Sequence, residues 1–336
     1  VERLPTVAWR DGAVELLDQT LLPAVETTLR CATVDALVDA IQRLAVRGAP
    51  ALGIAGAYGV ALAAASRDPQ DVERDAERLA SCRPTAVNLR RGVTRALDAY
   101  RAGDDPLAAA ESLAAEDAAA SAAIASYGLA LVPDDARVLT HCNTGALVSG
   151  GDGTAYAIAL AAHRAGRLAM LWVDETRPLL QGVRLTAWEA ARDGLPYTVL
   201  ADNAAGSLFA AGQVDLVVVG ADRICADGSV VNKVGTYPLA VLARAHGVPF
   251  VVAAPTSTVD ETTATGRDVV VEQRAAGEVL SYGGLRVAPE GAAAYNPAFD
   301  VTPADYVTAL VTERGVQRDG VRGRAEPHAG QRDEAG

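Results

Sequence analysis

The sequence predicts an α/β protein. A small, mostly helical N-terminal domain (residues 1–132) leads into a domain built on a mainly parallel sheet (133–316), and a disordered tail (317–336) follows. Three observations carry this. Apolar residues recur at helical spacing through most of the first third. From Pro133-Asp134-Asp135 onward, short apolar runs alternate with helical stretches, the pattern of a doubly wound sheet. From Gln317 the chain turns polar, charged and glycine-rich. The 336 residues suit about two domains at roughly 100–200 residues each.

The opening segment reads as extended or mixed, with VAWR and AVELLD separated by the turn signal Asp11-Gly12. Helical spacing starts after Thr33, a capping residue type, and puts Val34, Leu37, Ile41 and Leu44 on one face. A Gly/Ala-rich helix is expected over about 50–65, and further helices over about 70–82, 85–101 and 106–131. The expected strands are Arg137–His141, Leu168–Val173, Tyr197–Ala201, Leu216–Gly220 and Phe250–Ala253. Continuous apolar runs of this kind fit strands buried on both faces. Helices are expected between or after them at about 153–165, 179–193, 203–212 and 232–246. No internal repeat is visible.

The net charge of −12 argues against a nucleic-acid partner, which calls for a basic surface. No apolar run is long enough to span a membrane, and the first twenty residues lack a signal core, so a cytoplasmic location is expected. The four cysteines form no CxxC pair and stand at no zinc-ligand spacing, so reduced thiols and no metal are expected.

Ligands of an open parallel sheet sit beyond the carboxyl ends of its strands. Those ends carry Cys142-Asn143-Thr144-Gly145, Asp174-Glu175-Thr176-Arg177, Asp202-Asn203, Asp222-Arg223 and Pro255-Thr256-Ser257. Five polar strand ends in succession point to a cleft. The segment HCNTGALVSGGDGTA (141–155) offers bent backbone and a nearby helix start, which suits a phosphate. It matches neither GxGxxG nor the P-loop, which disfavours a dehydrogenase. Cys142 is the most pointed residue, whereas Cys31, Cys82 and Cys225 read as ordinary buried thiols. His141 and Cys142 are neighbours on a strand and point to opposite faces, so no dyad between them is expected. Asp222 has two readings: a carboxyl raised by desolvation, fit for acid–base work, or a partner of Arg223 with a lowered pKa. Arg47, before Gly48-Ala49-Pro50, and Lys233, read as near a helix start, can each face an anion.

Long strings then resemble one family in order. They are RGAPALGIAGAYG (47–59), RPTAVNL (83–89), THCNTGAL (140–147), VDETRPLLQGVRLTAWE (173–189), ADNAAGSL (201–208), GADRI (220–224), NKVGTYPLAVLARAHGVPF (232–250), AAPTSTVD (253–260) and YNPAFDVTP (295–303). Over about residues 5–316 the chain resembles the methylthioribose-1-phosphate isomerases. The resemblance implies a homodimer with a Rossmann-like second domain. It implies an aldose–ketose isomerase of methionine salvage that needs no metal or nucleotide and takes a small-molecule sugar phosphate. It assigns catalysis to Cys142 and Asp222. It assigns substrate contacts to Arg47, Gly48, Ala49, Arg83, Gln181, Asn232 and Lys233, with Arg90 and Arg91 lying close to Arg83 in sequence. Gln273, in VEQR (271–274), stands where the family usually has a carboxylate. Sister isomerases acting on 5-deoxyribose 1-phosphate or ribose 1,5-bisphosphate share the pattern. So do the non-catalytic regulatory subunits of a translation-initiation exchange factor, which sense sugar phosphates or nucleotides.

Overall fold

A computed structural model describes residues 5–65, 68–83 and 86–318. The chain opens with a three-stranded antiparallel sheet of β1 (Val7–Arg10), β2 (Ala13–Leu17) and β3 (Thr28–Cys31). The first two strands join at the expected Asp11-Gly12 turn, where both residues take positive φ. Five helices follow: α1 (Val34–Gln42), α2 (Ala49–Ala64), α3 (Pro69–Ser81), α4 (Val87–Ala102) and α5 (Pro106–Leu129). Thr33 caps α1, and Asp68 and Asp105 cap α3 and α5, each accepting from a first-turn backbone N–H.

Helix α2 is apolar on all sides and buried along nearly its whole length, as a central helix must be. Its glycines let α4 cross at close range. A Cβ on Gly92 would stand 2.0 Å from the Gly53 carbonyl oxygen, so only glycine fits there. This packing fixes the start of α2, and the Gly48 turn before it rests against Val148 of the sheet region.

The second half contains β4 (Ala136–Thr140), α6 (Ala155–Arg164), β5 (Leu168–Asp174), α7 (Ala187–Asp193), β6 (Tyr197–Leu200), α8 (Ala205–Ala210) and β7 (Leu216–Val219). A hairpin of β8 (Arg223–Cys225) and β9 (Val230–Lys233) precedes α9 (Thr236–His246) and β10 (Phe250–Ala253). Then come β11 (Val259–Asp260), α10 (Gly277–Leu280), β12 (Ser281–Tyr282), β13 (Leu285–Arg286), β14 (Phe299–Thr302), β15 (Ala309–Thr312) and β16 (Gly315–Gln317). Seven strands form the main sheet in the order β16-β15-β10-β7-β4-β5-β6. All pair in parallel except the edge strand β16. Buried side chains cover both faces, with Val138, Leu171 and Val218 on one and Leu139, Val217 and Phe250 on the other.

Three expectations need correction. The helix expected from 232 starts at Thr236, because Val230–Lys233 is a strand paired antiparallel with β8 and β14. The Asp227 carboxylate takes the Ser229 N–H and hydroxyl and Gly228 turns at φ 82°, so the chain doubles back as a hairpin before any helix forms. The helix expected over 179–193 is split, with a π-helical turn at Gly182–Thr186 ahead of α7. Gln317, expected to open the tail, closes β16, and residues 319–336 of that tail lie outside the described residues.

Candidate active site

In the main sheet, β5 and β6 lie to one side of β4, and β7, β10 and β15 to the other. The order therefore reverses between β4 and β7, and a crevice opens beyond the carboxyl ends of strands at such a point. Cys142 lies just past β4, and Asp222 just past β7. The cleft there is lined by Cys142 and Asp222 together with Arg47, Gly48, Ala49, Arg83, Gln181, Asn232 and Lys233. The two catalytic and seven substrate-contact residues that the resemblance assigns thus reach one cavity, whereas the strand-end candidates Asp174, Glu175, Thr176, Arg177, Asp202, Asn203 and Ser257 do not line it.

Cys142 leaves the strand with φ 64°, a backbone state rare for a residue with a side chain. Its N–H donates to Thr176 Oγ1 at 2.9 Å, and its carbonyl accepts from the Thr186 hydroxyl at 2.6 Å. These bonds hold the thiol toward the cleft. The Arg47 guanidinium comes within 3.6 Å of Sγ and donates to Asn143 Oδ1 at 3.1 Å. Asn143 in turn donates to the buried Glu189 carboxylate at 2.6 Å, which also accepts from the Leu147 N–H at 3.1 Å.

Asp222 is anchored by its own N–H, which donates to the Val231 carbonyl at 2.9 Å. The two readings of its carboxyl are now separated. Arg223 turns away to Asp260 at 3.3 Å, so it does not neutralise its neighbour. Burial pushes the Asp222 pKa above the ordinary carboxylate value, against a smaller pull from Lys233, Arg47 and Arg83. The residue is open to the cleft on one side, while protein surrounds the carboxyl on its others. A ligand seated against that open side would bury the carboxyl further and raise it more.

The cations about the pair are held at a cost in solvation. Burial pushes Lys233 down, while the nearby Cys142 and Asp222 pull it up. Its ammonium donates to the Ala298 carbonyl at 2.7 Å and lies 4.6 Å from the Phe299 ring centre. Arg83 is likewise lowered by burial. Arg90 pairs with Glu77 on the surface and Arg91 donates to the Ser257 carbonyl, so Arg83 is the one of the three that lines this cleft. Gln181 is buried, and its Oε1 has no hydrogen-bond partner among the described residues. No side chain caps α2, whose first residues border the cleft, so its N-terminal N–H groups are available to an anion.

The Gly-rich segment contributes differently from expectation. The N–H groups of Gly150, Gly151, Thr154 and Tyr156 already donate within the protein, to Asp117, Ser149 and Thr144. Sequence reasoning also missed Glu272 and Arg274, which line the cleft on either side of Gln273. They lie in a long irregular stretch with no periodic signal. Gln273 is not in the lining and bridges instead to Pro297.

His141 faces away from the cleft, as strand alternation requires. Its Nδ1 lies 2.9 Å from Asp174 Oδ2 and its Nε2 2.9 Å from the Val234 carbonyl. Burial opposes the imidazolium, yet the Asp174 carboxylate outweighs it and the pKa is pushed up to about 9. Burial acts on Asp174 in the opposite sense to this pairing, raising the carboxyl. With Nε2–H donating to the Val234 carbonyl, a second proton on Nδ1 makes the ring an imidazolium, the form that its raised pKa favours. Asp202 completes a His141–Asp174–Asp202 cluster. Its carboxylate accepts from the Thr176 and Arg177 N–H groups.

A family model described as the initiation factor 2 subunit family matches residues 45–318. The methylthioribose-1-phosphate isomerase of Anaeromyxobacter dehalogenans is 54% identical, over 91% of each chain. That of Pelotomaculum thermopropionicum is 49% identical, over 93% of this chain and 91% of its own. The crystal structure of 5-methylthioribose 1-phosphate isomerase from Pyrococcus horikoshii superposes with a TM-score of 0.90 at 40% identity, covering 95% of this chain and 94% of that one. A structure described as translation initiation factor eIF-2B, subunit delta, from A. fulgidus gives 0.83 at 45% identity, covering 94% and 96%.

Proposed function

The chain belongs to the initiation factor 2 subunit family, and from that premise we propose that it converts 5-methylthio-α-D-ribose 1-phosphate to 5-methylthio-D-ribulose 1-phosphate, an aldose–ketose step of methionine salvage. One observation carries the reading. A buried thiol and a carboxyl raised in pKa stand at neighbouring strand ends where the sheet reverses, with Arg47, Arg83 and Lys233 around them. A binding module has no need of that pair.

The phosphate on C1 prevents the sugar ring from opening to a free aldehyde, so an acid must release the ring oxygen. Asp222, in its protonated form, gives its proton to that oxygen as the C1–O bond breaks. As a carboxylate it then takes the proton from C2. The Cys142 thiol delivers a proton to C1 and recovers one from the C2 hydroxyl as the ketone forms. Both groups end as they began, and no external oxidant or reductant enters. Arg47, Lys233 and the start of α2 hold the phosphate, while Gln181 and Asn232 meet hydroxyls, so that C1 and C2 face the pair. Deuterium at C1 after reaction in deuterated water marks this route. A ketose without deuterium marks a direct hydride shift or a proton shielded from exchange.

A second compartment adjoins the first, sharing Gly48, Ala49, Arg83, Asp222 and Phe299 with it and adding mostly apolar residues, Leu52, Val87, Val231, Val269 and Val270 among them, beside Asn88 and Arg223. Val87 and Val270 are exposed. An apolar 5-substituent would cover this surface, which favours methylthio over the second phosphate of ribose 1,5-bisphosphate. Arg83 at the shared wall, with Arg223 and Asn88 in the second compartment, would serve such a phosphate instead. The regulatory reading draws on the likeness to the eIF-2B subunit.

The homodimer and the cytoplasmic location belong to the same proposal. Exposed Tyr282, Leu285, Val287 and Tyr295, close together along the chain, support an interface. Light scattering on the purified protein tests the first, and cell fractionation the second. For the function, turnover is measured by NMR on three sugars. The proposal expects the methylthio sugar to give the highest kcat/KM, followed by the 5-deoxy sugar and then the bisphosphate. Binding without turnover of any of them would establish the regulatory reading instead.

A further inference from the structure

We propose that His141 is a positioning residue of this site: a single buried imidazole that fixes the Cys142 turn relative to the strand end carrying Asn232 and Lys233. The inference rests on the isomerase reading of the cleft for its role in turnover, and on geometry alone for its role in placing Cys142.

Three strand ends meet at this ring. His141 follows β4 and immediately precedes Cys142. Its Nδ1 is bound to Asp174, the last residue of β5, which leads into the loop carrying Thr176 and Gln181. Its Nε2 is bound to the carbonyl of Val234, the residue after Lys233 at the end of β9. The thiol side and the ammonium side of the cleft are therefore tied through one rigid aromatic group. The ring is 1% exposed, so neither bond is weakened by competing water.

The surroundings are shaped for it. Gly235 turns at φ 107°, and a Cβ there would stand 2.7 Å from His141 Cε1. The Gly235 N–H is held by Asp300 at 2.7 Å, which fixes the turn against the ring. A side chain serving only to fill space could be apolar. Here two directional bonds are made instead, to two different elements. Cys142 needs such support because its backbone sits at φ 64° and, among the described residues, is held by the Thr176 and Thr186 hydroxyls alone. A shift of about 1 Å in a reacting group can cost on the order of a hundredfold in rate.

Two substitutions divide the two bonds. The amide nitrogen of asparagine falls near Nδ1 of histidine, and that of glutamine near Nε2. His141→Asn keeps the link to Asp174 and releases Val234, whereas His141→Gln keeps the link to Val234. Both variants are assayed for kcat and KM on 5-methylthioribose 1-phosphate. The rate of Cys142 alkylation by iodoacetamide is read by peptide mass spectrometry with Cys82 as internal reference. The expected result for His141→Asn is a kcat lower by at least about tenfold, a much smaller change in KM, and several-fold faster alkylation as the turn loosens. His141→Gln should recover most of both. Wild-type kcat and wild-type alkylation in both variants, even with a lower melting temperature, would overturn the proposal. If the wild-type protein converts no sugar, the isomerase reading fails, and the alkylation comparison still decides whether His141 places Cys142.

Discussion

Glu189 lies beneath the site without touching the cleft, and its removal has a calculable cost. Its carboxylate accepts from Asn143 Nδ2 at 2.6 Å and from the Leu147 N–H at 3.1 Å, and it is buried. It also packs hard against Gly145, where an added Cβ would come within 2.3 Å of Oε2. Glu189→Ala strands two buried donors, each costing about 1–3 kcal/mol, so the fold should lose about 2–6 kcal/mol. Glu189→Gln keeps one acceptor and strands one donor, for a loss of about 1–3 kcal/mol. The effect should reach the chemistry. Asn143, left with the longer bond from its Nδ2 to Thr186 Oγ1 at 3.3 Å, fixes its Oδ1 less firmly for Arg47, which then drifts from Cys142. Urea denaturation gives the stability order and steady-state kinetics the loss of kcat/KM, both running wild type, Gln, Ala. An alanine variant within about 1 kcal/mol of wild type, with unchanged kinetics, would refute the idea that this carboxylate carries the Arg47–Asn143 arm.

Two further substitutions set stability against function. The Asp222 pKa is raised in the fold, so its favourable contribution exists below the ordinary carboxylate value and is lost as pH rises through the raised one. Asp222→Asn removes that loss: the variant should melt no lower than wild type at neutral pH, the gap closing in acid, while turnover falls at least about a hundredfold. Melting curves across pH and a rate assay check both halves. Gln181→Leu deletes a buried acceptor that has no partner among the described residues. Its melting temperature should hold or rise while KM rises about two- to tenfold, the loss of one hydrogen bond to substrate; a lowered melting temperature with unchanged KM would place Gln181 in the framework instead.

The sequence made the main layout legible because buried parallel strands are continuous apolar runs and their ends are polar. Cys142 and Asp222 could be marked as strand-end residues before any coordinates. What periodicity could not supply was pairing. VVNK (230–233) is too short to announce a strand, and only its partners β8 and β14 make it one. ALVT (309–312) is an apolar run of the right kind, yet its place beside β10 depends on a parallel contact 58 residues away. The resemblance drew Gln181 and Arg83 into the candidate set, since neither has a local pattern that marks it. Glu272 and Arg274 stayed hidden because their segment follows neither the helical nor the strand repeat. The pKa of Asp222 was undecidable in sequence, because its neighbour Arg223 is adjacent in the chain yet bonded to Asp260.

The most direct test is the rate at which wild type and Cys142→Ser form ketose from 5-methylthioribose 1-phosphate, with binding of the sugar measured on both. The account predicts that wild type turns the aldose phosphate into the ketose phosphate, and that the serine variant binds it yet turns it over at least about a hundredfold more slowly. No ketose from wild type, or ketose from Cys142→Ser at the wild-type rate, would contradict it.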